Sequence, residues 1–296
     1  MEQSPLIEIG LPVSLMIIMA GMGLGLTPRD FRQVVTQPRA MFVGTVAQIV
    51  FIPLLAFGLA KLMGLSPAIA VGLVIIASCP GGTTSNIFTL LALGNVALSI
   101  TLTVLASMLT IVTIPLFANL ALDMYAIGAE AQAVKLPVLR TVLTLLVVTV
   151  LPVLFGMFVR HRSLPFAQKA QPYVGKFGLV VLLLLIAAIV YGTRNEILSL
   201  MAQAGPATTA LNLGGIAIGF ASSKLFGVSR GDALTIAIEV GIKNATIGLM
   251  VTLTLLDSAE LAIPSAVYGI LMFPLGGILV LLGRRKSPAA VRIEHR

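Results

Sequence analysis

Charge is what this sequence has least of. Lys, Arg, Asp and Glu together make up 10% of its 296 residues, against the roughly 25% of a soluble domain. Cysteine occurs once, at Cys79, which excludes a disulfide framework. The two histidines, His161 and His295, stand far apart, which excludes a histidine-built metal site. Tryptophan is absent, so the usual aromatic belt at a membrane boundary is thin. No glycine-rich nucleotide loop, low-complexity linker or separate soluble domain can be discerned.

What is abundant is apolar. Hydrophobic residues make up 58% of the chain, and the mean hydropathy is +1.06. The runs are long enough for membrane-spanning helices rather than barrel strands, so the sequence predicts an all-α integral membrane protein. Nine spans are expected, near 6–26, 40–61, 67–93, 95–121, 136–159, 174–192, 204–226, 231–255 and 261–283. The first follows "MEQSP", which has no basic residue, and it exceeds the ~7–15 residues of a signal core, so it reads as a span. The chain is expected to form one transport unit over 1–296.

A net charge of +8 could suggest nucleic acid, but the basic residues lie between the apolar runs and read better as topology signals. With nine spans, one side carries Arg29, Arg32, Arg39, Arg160, Arg162, Lys169, Lys176, Lys224, Arg230, Arg284, Arg285, Lys286, Arg292 and Arg296. The other carries Lys61, Lys135, Arg140 and Arg194. The positive-inside rule then places the C-terminus in the cytoplasm and the N-terminus outside, in a cell inner (plasma) membrane. Lys243 belongs to neither side.

Two spans are interrupted. "SCPGGTTSN" (78–86) cuts the third, and Glu239-Val-Gly-Ile-Lys243-Asn244 cuts the eighth. Glycine and proline free backbone groups, which lipid tolerates only inside protein or along a watery cavity. The interruptions lie about 160 residues apart, and the same shift matches each span to the one five places later. An odd shift reverses direction across the membrane, so inverted repeats are expected, with the fifth span unpaired. Inverted repeats with a broken helix in each half point to a secondary transporter.

Cys79-Pro-Gly-Gly-Thr-Thr-Ser-Asn86, Gly94-Asn-Val-Ala-Leu-Ser99-Ile-Thr-Leu-Thr103 and Glu239-Val-Gly-Ile-Lys-Asn244 together resemble the bile acid:sodium symporter family, in its nine-helix form. The resemblance implies two crossed broken helices, a core domain over approximately 40–121 and 204–283, and a panel domain over approximately 6–26 and 136–192. It implies a first sodium site at Ser85, Asn86, Ser99, Thr103 and Glu239, with Na+ as coupling ion. Their oxygens suit a hard cation. Ser99 and Thr103 share one helix face. Hydroxyls can instead bond their own helix or a neighbour, but an intramembrane carboxylate at Glu239 is costly without a partner.

The family's second sodium site uses backbone carbonyls after the Glu, an earlier Gln and a later Gln. Gln48 matches the earlier one, whereas Lys243 stands where the later one belongs. An ammonium has three donors and no acceptor, so it cannot ligate sodium but can take its volume and charge. The alternatives are a structural Glu239–Lys243 pair four residues apart on a helix and proton coupling. Thr83, Thr84 and Asn244 are expected to contact cargo, because two broken-helix N-termini favour an anion, particularly a carboxylate.

The expectation is therefore sodium-coupled symport of a small organic anion. The runner-up is a cation–proton antiporter or a proton-coupled organic-anion transporter using Glu239 and Lys243. A channel would show repeated rings around a symmetric pore. An enzyme would need a nucleophile with its base, and Cys79 has no histidine within a span, so it reads as a small buried thiol. Partners are the anion and the bilayer; no nucleic acid and no obligate protein partner are implied. Gly21-Met-Gly-Leu-Gly25 and Gly215-Ile-Ala-Ile-Gly219 fit small-residue helix packing.

Overall fold

The computed structural model describes residues 9–125, 135–192, 194 and 197–285. Residues 6–8 of the first expected span lie outside the described residues, as do His295 and Lys286, Arg292 and Arg296 of the charge pattern. Among the described residues every regular element is helical. The main elements are α1 (Leu11–Leu24), α2 (Pro38–Leu62), α3 (Pro67–Ser78), α4 (Thr83–Leu91), α5 (Val96–Tyr125) and α6 (Val138–Arg162). They continue as α7 (Leu164–Gly192), α8 (Ile197–Leu225), α9 (Arg230–Gly241), α10 (Ala245–Met250, running on as a π turn to Leu255) and α11 (Ala259–Arg285).

Among the described residues six helical stretches are long and apolar enough to cross a membrane, or seven if α3 and α4, bent by 63°, count as one. α1 is apolar but shorter. Each expected span coincides with helix, and two begin earlier than the apolar pattern indicates. α7 starts at Leu164 and runs through Pro172, while α8 starts at Ile197 and runs through Pro206. The apolar pattern places the first start after Pro172, near 174, and the second near 204, just before Pro206. Neighbouring helices in a membrane protein can re-satisfy what a proline frees.

The interrupted elements occupy the interior. Arg230–Leu255 has 94% of its most apolar window buried, whereas Leu164–Tyr191 has 17%. α3 is buried continuously from Ile69 to Ser78, as expected of a helix apolar all round. α1, α6 and α7 pack together. Gly23 and Gly156 bring α1 and α6 into backbone contact, since a Cβ at either would overlap a carbonyl of the other helix. Both small-residue motifs are used this way. Gly21 meets Val174 and Gly25 meets the Gln171 amide, while Gly219 lies on the Ala237 backbone and Gly215 on the Val240 carbonyl.

Hydrogen bonds join helices near their ends. Arg160 donates to the Leu24 carbonyl at 2.9 Å, Arg284 to the Leu91 carbonyl at 2.9 Å, and the Asn95 amide to Asp232 at 2.8 Å and Gln37 at 3.3 Å. The Ser66 N–H donates to Gln203 at 2.9 Å and the Leu136 N–H to Asn119 at 2.8 Å.

Candidate functional site

The site is built where the two interruptions meet. Pro80 has no N–H to continue α3, and Cys79 before it is extended at ψ 148°, the conformation favoured for a residue preceding proline. A side chain on Gly81 would fall on the Glu239 carboxylate, so the backbone comes closer there than any Cβ allows. α4 then starts at Thr83. On the other element α9 ends at Gly241, Ile242 is extended, and Asn244 caps α10 by accepting from the Ile247 N–H at 3.3 Å. The Asn244 N–H donates to the Pro80 carbonyl at 2.8 Å. One main-chain hydrogen bond thus ties the two breaks together.

Glu239 lies at this junction, fully buried. Its Oε1 accepts from Ser85 at 2.7 Å and from the Ser99 hydroxyl, and its Oε2 accepts from Thr103 at 2.9 Å. Asn86 Oδ1 lies 2.8 Å from the Ser99 hydroxyl and 3.3 Å from that of Thr103. All five residues expected to form the first ion site are therefore in one cluster. The cluster is short of protons. Its three hydroxyls have one proton each, while Glu239, Asn86 and the main-chain carbonyls of Gly82 and Ser99 all stand within hydrogen-bonding reach of them. A surplus of oxygen acceptors is what a small hard cation can fill.

Gln48 and Lys243 flank this cluster. Gln48 sits in a π turn, Ala47–Phe51, within α2, a local widening often found at functional positions. Its Oε1 accepts from the Gly81 N–H at 3.2 Å, and among the described residues its Nε2 has no hydrogen-bond partner. Lys243 is 1% exposed and its Nζ also has none among them. The helical Glu239–Lys243 pair is not present. α9 stops at Gly241, so the two residues are not one turn apart on a continuous helix, and among the described residues the ion pair within 4.0 Å is Lys135–Asp123.

Thr83, Thr84 and Asn244, expected at the cargo, line one cavity of about 310 Å³ together with Lys243, Thr246 and Phe273. A second chamber of about 570 Å³ shares Thr83 and Ile87 with it and reaches Asn86, Gln171 and Lys176. Asn86, a member of the Glu239 cluster, thus also faces a chamber. Cys79 is buried and donates its S–H to the Ile75 carbonyl at 3.3 Å.

Three residues that sequence reasoning passed over touch the site. The Thr89 hydroxyl lies 3.1 Å from that of Ser99. Asn212 Nδ2 and the Tyr268 hydroxyl both donate to the Gly241 carbonyl, at 2.8 Å and 2.5 Å. Asn212 was visible as an amide in the middle of an apolar helix, a costly placement. Tyr268 left no signal, since its role depends on which helix it faces.

Residues 12–200 match the model of the Sodium Bile acid symporter family. The chain is 33% identical to the uncharacterized sodium-dependent transporter YocS of Bacillus subtilis (strain 168), over 86% of this chain and 76% of that protein. It is 31% identical to the Arabidopsis thaliana protein named "Probable sodium/metabolite cotransporter BASS1, chloroplastic", over 93% of this chain and 67% of that one. It is 29% identical to the ileal sodium/bile acid cotransporter of Oryctolagus cuniculus, over 79% of this chain and 66% of that one.

Proposed function

The chain belongs to the Sodium Bile acid symporter family, and from that premise we propose that it carries a small organic anion of the carboxylate type into the cell with one sodium ion. The family consists of transporters, so the protein is a multi-pass membrane transporter and not an enzyme. Sodium coupling is supported by the names of its relatives. The observation that carries the site is the proton-poor cluster around Glu239, where Ser85, Asn86, Ser99 and Thr103 converge on one buried carboxylate.

Nine crossings as inverted repeats would put the partners of each hydrogen bond that joins helices near their ends on the same side of the membrane. α1, α6 and α7 would form the panel and the remaining elements the core. The eleven described basic residues of the richer side would lie in the cytoplasm, with the N-terminus outside, in the inner (plasma) membrane. The cavity that holds Thr83, Thr84 and Asn244 lies between these two groups of helices. Its polar groups would receive the carboxylate, while Ile87, Phe88 and Leu179 offer the rest of the anion an apolar wall. The bile acid of the family's name does not follow, since cargo is set by the cavity and not the fold.

Lys243 would stand in for a second sodium. Its burial within the break, the absence of an ion pair and the unpartnered Gln48 amide support an ammonium filling that place. One sodium with one monovalent anion moves no net charge. Two would carry one charge inward, worth about 2.3 kcal/mol per 100 mV. Lys243→Gln is then expected to raise the sodium Hill coefficient above one and to make uptake respond to voltage. Electrogenic, sigmoidal uptake by the parent would rule the replacement out.

A second reading draws on the same cluster. A proton on Glu239 also relieves a shortage of protons, which would make the protein a proton-coupled anion transporter or a cation–proton antiporter. Flux in proteoliposomes separates the readings. With a panel of monocarboxylates, an imposed sodium gradient should drive uptake and a proton gradient alone should not. The opposite pattern favours the proton, and preference for cations or neutral sugars rejects an anion as cargo.

A further inference from the structure

The second break lacks what enforces the first. It contains no proline, and its single glycine, Gly241, is the last residue of α9. α9 and α10 also stay closer to one line than α3 and α4 do, since Arg230–Leu255 runs as one 26-residue span whereas the other pair is bent by 63°. A continuous helix through 242–244 is therefore a near competitor. In it the Ala245 N–H would donate to the Gly241 carbonyl. Here that N–H donates instead to the Lys243 carbonyl at 3.1 Å, and the Asn244 N–H is drawn to Pro80.

The Gly241 carbonyl is occupied from the side. Asn212 of α8 and Tyr268 of α11 both donate to it, at 2.8 Å and 2.5 Å. Both side chains are buried, Asn212 completely and Tyr268 with 1% exposure. Gly215, one turn after Asn212, lets α8 lie close to the Val240 carbonyl. Two donors from two helices have thus replaced the one donor that would rewind the helix.

From this arrangement we infer that Asn212 and Tyr268 are positioning residues that hold the second break open and so set the affinity for sodium without touching it. This inference rests on the sodium reading above. With the Gly241 carbonyl clamped, Ile242 is extended, Lys243 and Asn244 leave the helix axis, and Asn244 can bond Pro80. That bond aligns α9 on the first break and keeps Glu239 facing Ser85, Ser99 and Thr103. If the clamp is lost, Gly241 can recapture the Ala245 N–H, Asn244 turns away from Pro80, and Glu239 loses its register with the hydroxyls.

The test uses the purified full chain in detergent. Its thermal unfolding is followed against sodium chloride, with choline chloride holding the ionic strength constant, and the sodium concentration giving half the stabilisation is read. Tyr268→Phe and Asn212→Leu are each expected to raise that concentration about fivefold, the effect of one hydrogen bond, and the double variant more. Thr208→Val, one turn before Asn212 on α8, removes a buried hydroxyl bonded to the Ala204 carbonyl. It is expected to lower the melting temperature and leave the sodium concentration unchanged. A half-effect concentration within twofold of the parent in the double variant would overturn the clamp. If the double variant does not fold, Tyr268→Phe, which loses a single oxygen, decides by the same criterion. A parent with no sodium-specific stabilisation would overturn the sodium reading itself, an outcome distinct from a clamp that fails in a sodium-responsive parent.

Discussion

The two breaks in this molecule do the same work by different means. At the first, the local sequence itself opposes a helix: Pro80 offers no N–H, Gly81 and Gly82 follow it directly, and α3 meets α4 at 63°. At the second, residues 242–244 are Ile, Lys and Asn, none of which forbids a helix. Their break is imposed from outside, by Asn212 and Tyr268 on the Gly241 carbonyl and by the Pro80 carbonyl on the Asn244 N–H. A break written into the backbone is insensitive to its neighbours, whereas one made by contacts can respond to them. The carboxylate that faces the candidate ion site sits on the contact-dependent element and the hydroxyls on the others.

The sharpest way to break the comparison is within the first interruption. Gly81→Ala puts a methyl group onto the Glu239 carboxylate, while at Gly82 the nearest atoms, those of Asn244, stay at 3.4–3.5 Å. Severe overpacking costs up to about 3 kcal/mol, so Gly81→Ala is expected to weaken the sodium-specific stabilisation about a hundredfold in concentration. Gly82→Ala should stay within about threefold, its contact being ordinary van der Waals distance. Equal effects would mean that the close approach at Gly81 does not govern the carboxylate.

A smaller effect is expected from the hydroxyl side. Asn86→Ala and Thr103→Val each remove one oxygen without altering formal charge. Each should raise the half-effect sodium concentration about tenfold, as loss of a bond to a charged group would, while the melting temperature in choline changes less. If both retain the parent's sodium response, the assignment of this cluster to sodium is wrong. The smallest effect belongs to a pair remote from either break. Lys135 and Asp123 are 3.1 Å apart but 59% and 54% exposed. Asp123→Asn should change stability by less than about 1 kcal/mol and leave the sodium response untouched, which a calorimetric melt in both salts would check.

Much of the fold could be read from the chain because lipid is a demanding solvent. The apolar runs located helix in all nine expected stretches, and the polar interruptions located both breaks. The differences lie at the starts of α7 and α8, which run back beyond the continuous apolar stretch, in α7 through Pro172, because a pattern read residue by residue ends where polar residues and proline interrupt it. The candidate site was legible to the extent that its groups are unusual in a membrane. Glu239 and Lys243 declared themselves by charge, and Ser99 and Thr103 by sharing a helix face. The helical Glu239–Lys243 pair failed because spacing alone cannot say whether the intervening residues are wound.

The sequence by itself determined the membrane setting, the position of the first break and the stock of oxygen groups beside it. Each of these follows from local chemistry: hydropathy over a span, a missing N–H at Pro80, and side chains at fixed helical spacing. Tertiary structure decided that Glu239 meets hydroxyls from two other helices, that the Asn244 N–H turns to Pro80, and which contacts hold the second break open. A carbonyl such as that of Gly241 accepts from whichever donor is nearest, and only the packing of α8 and α11 brings Asn212 and Tyr268 there ahead of the chain's own N–H.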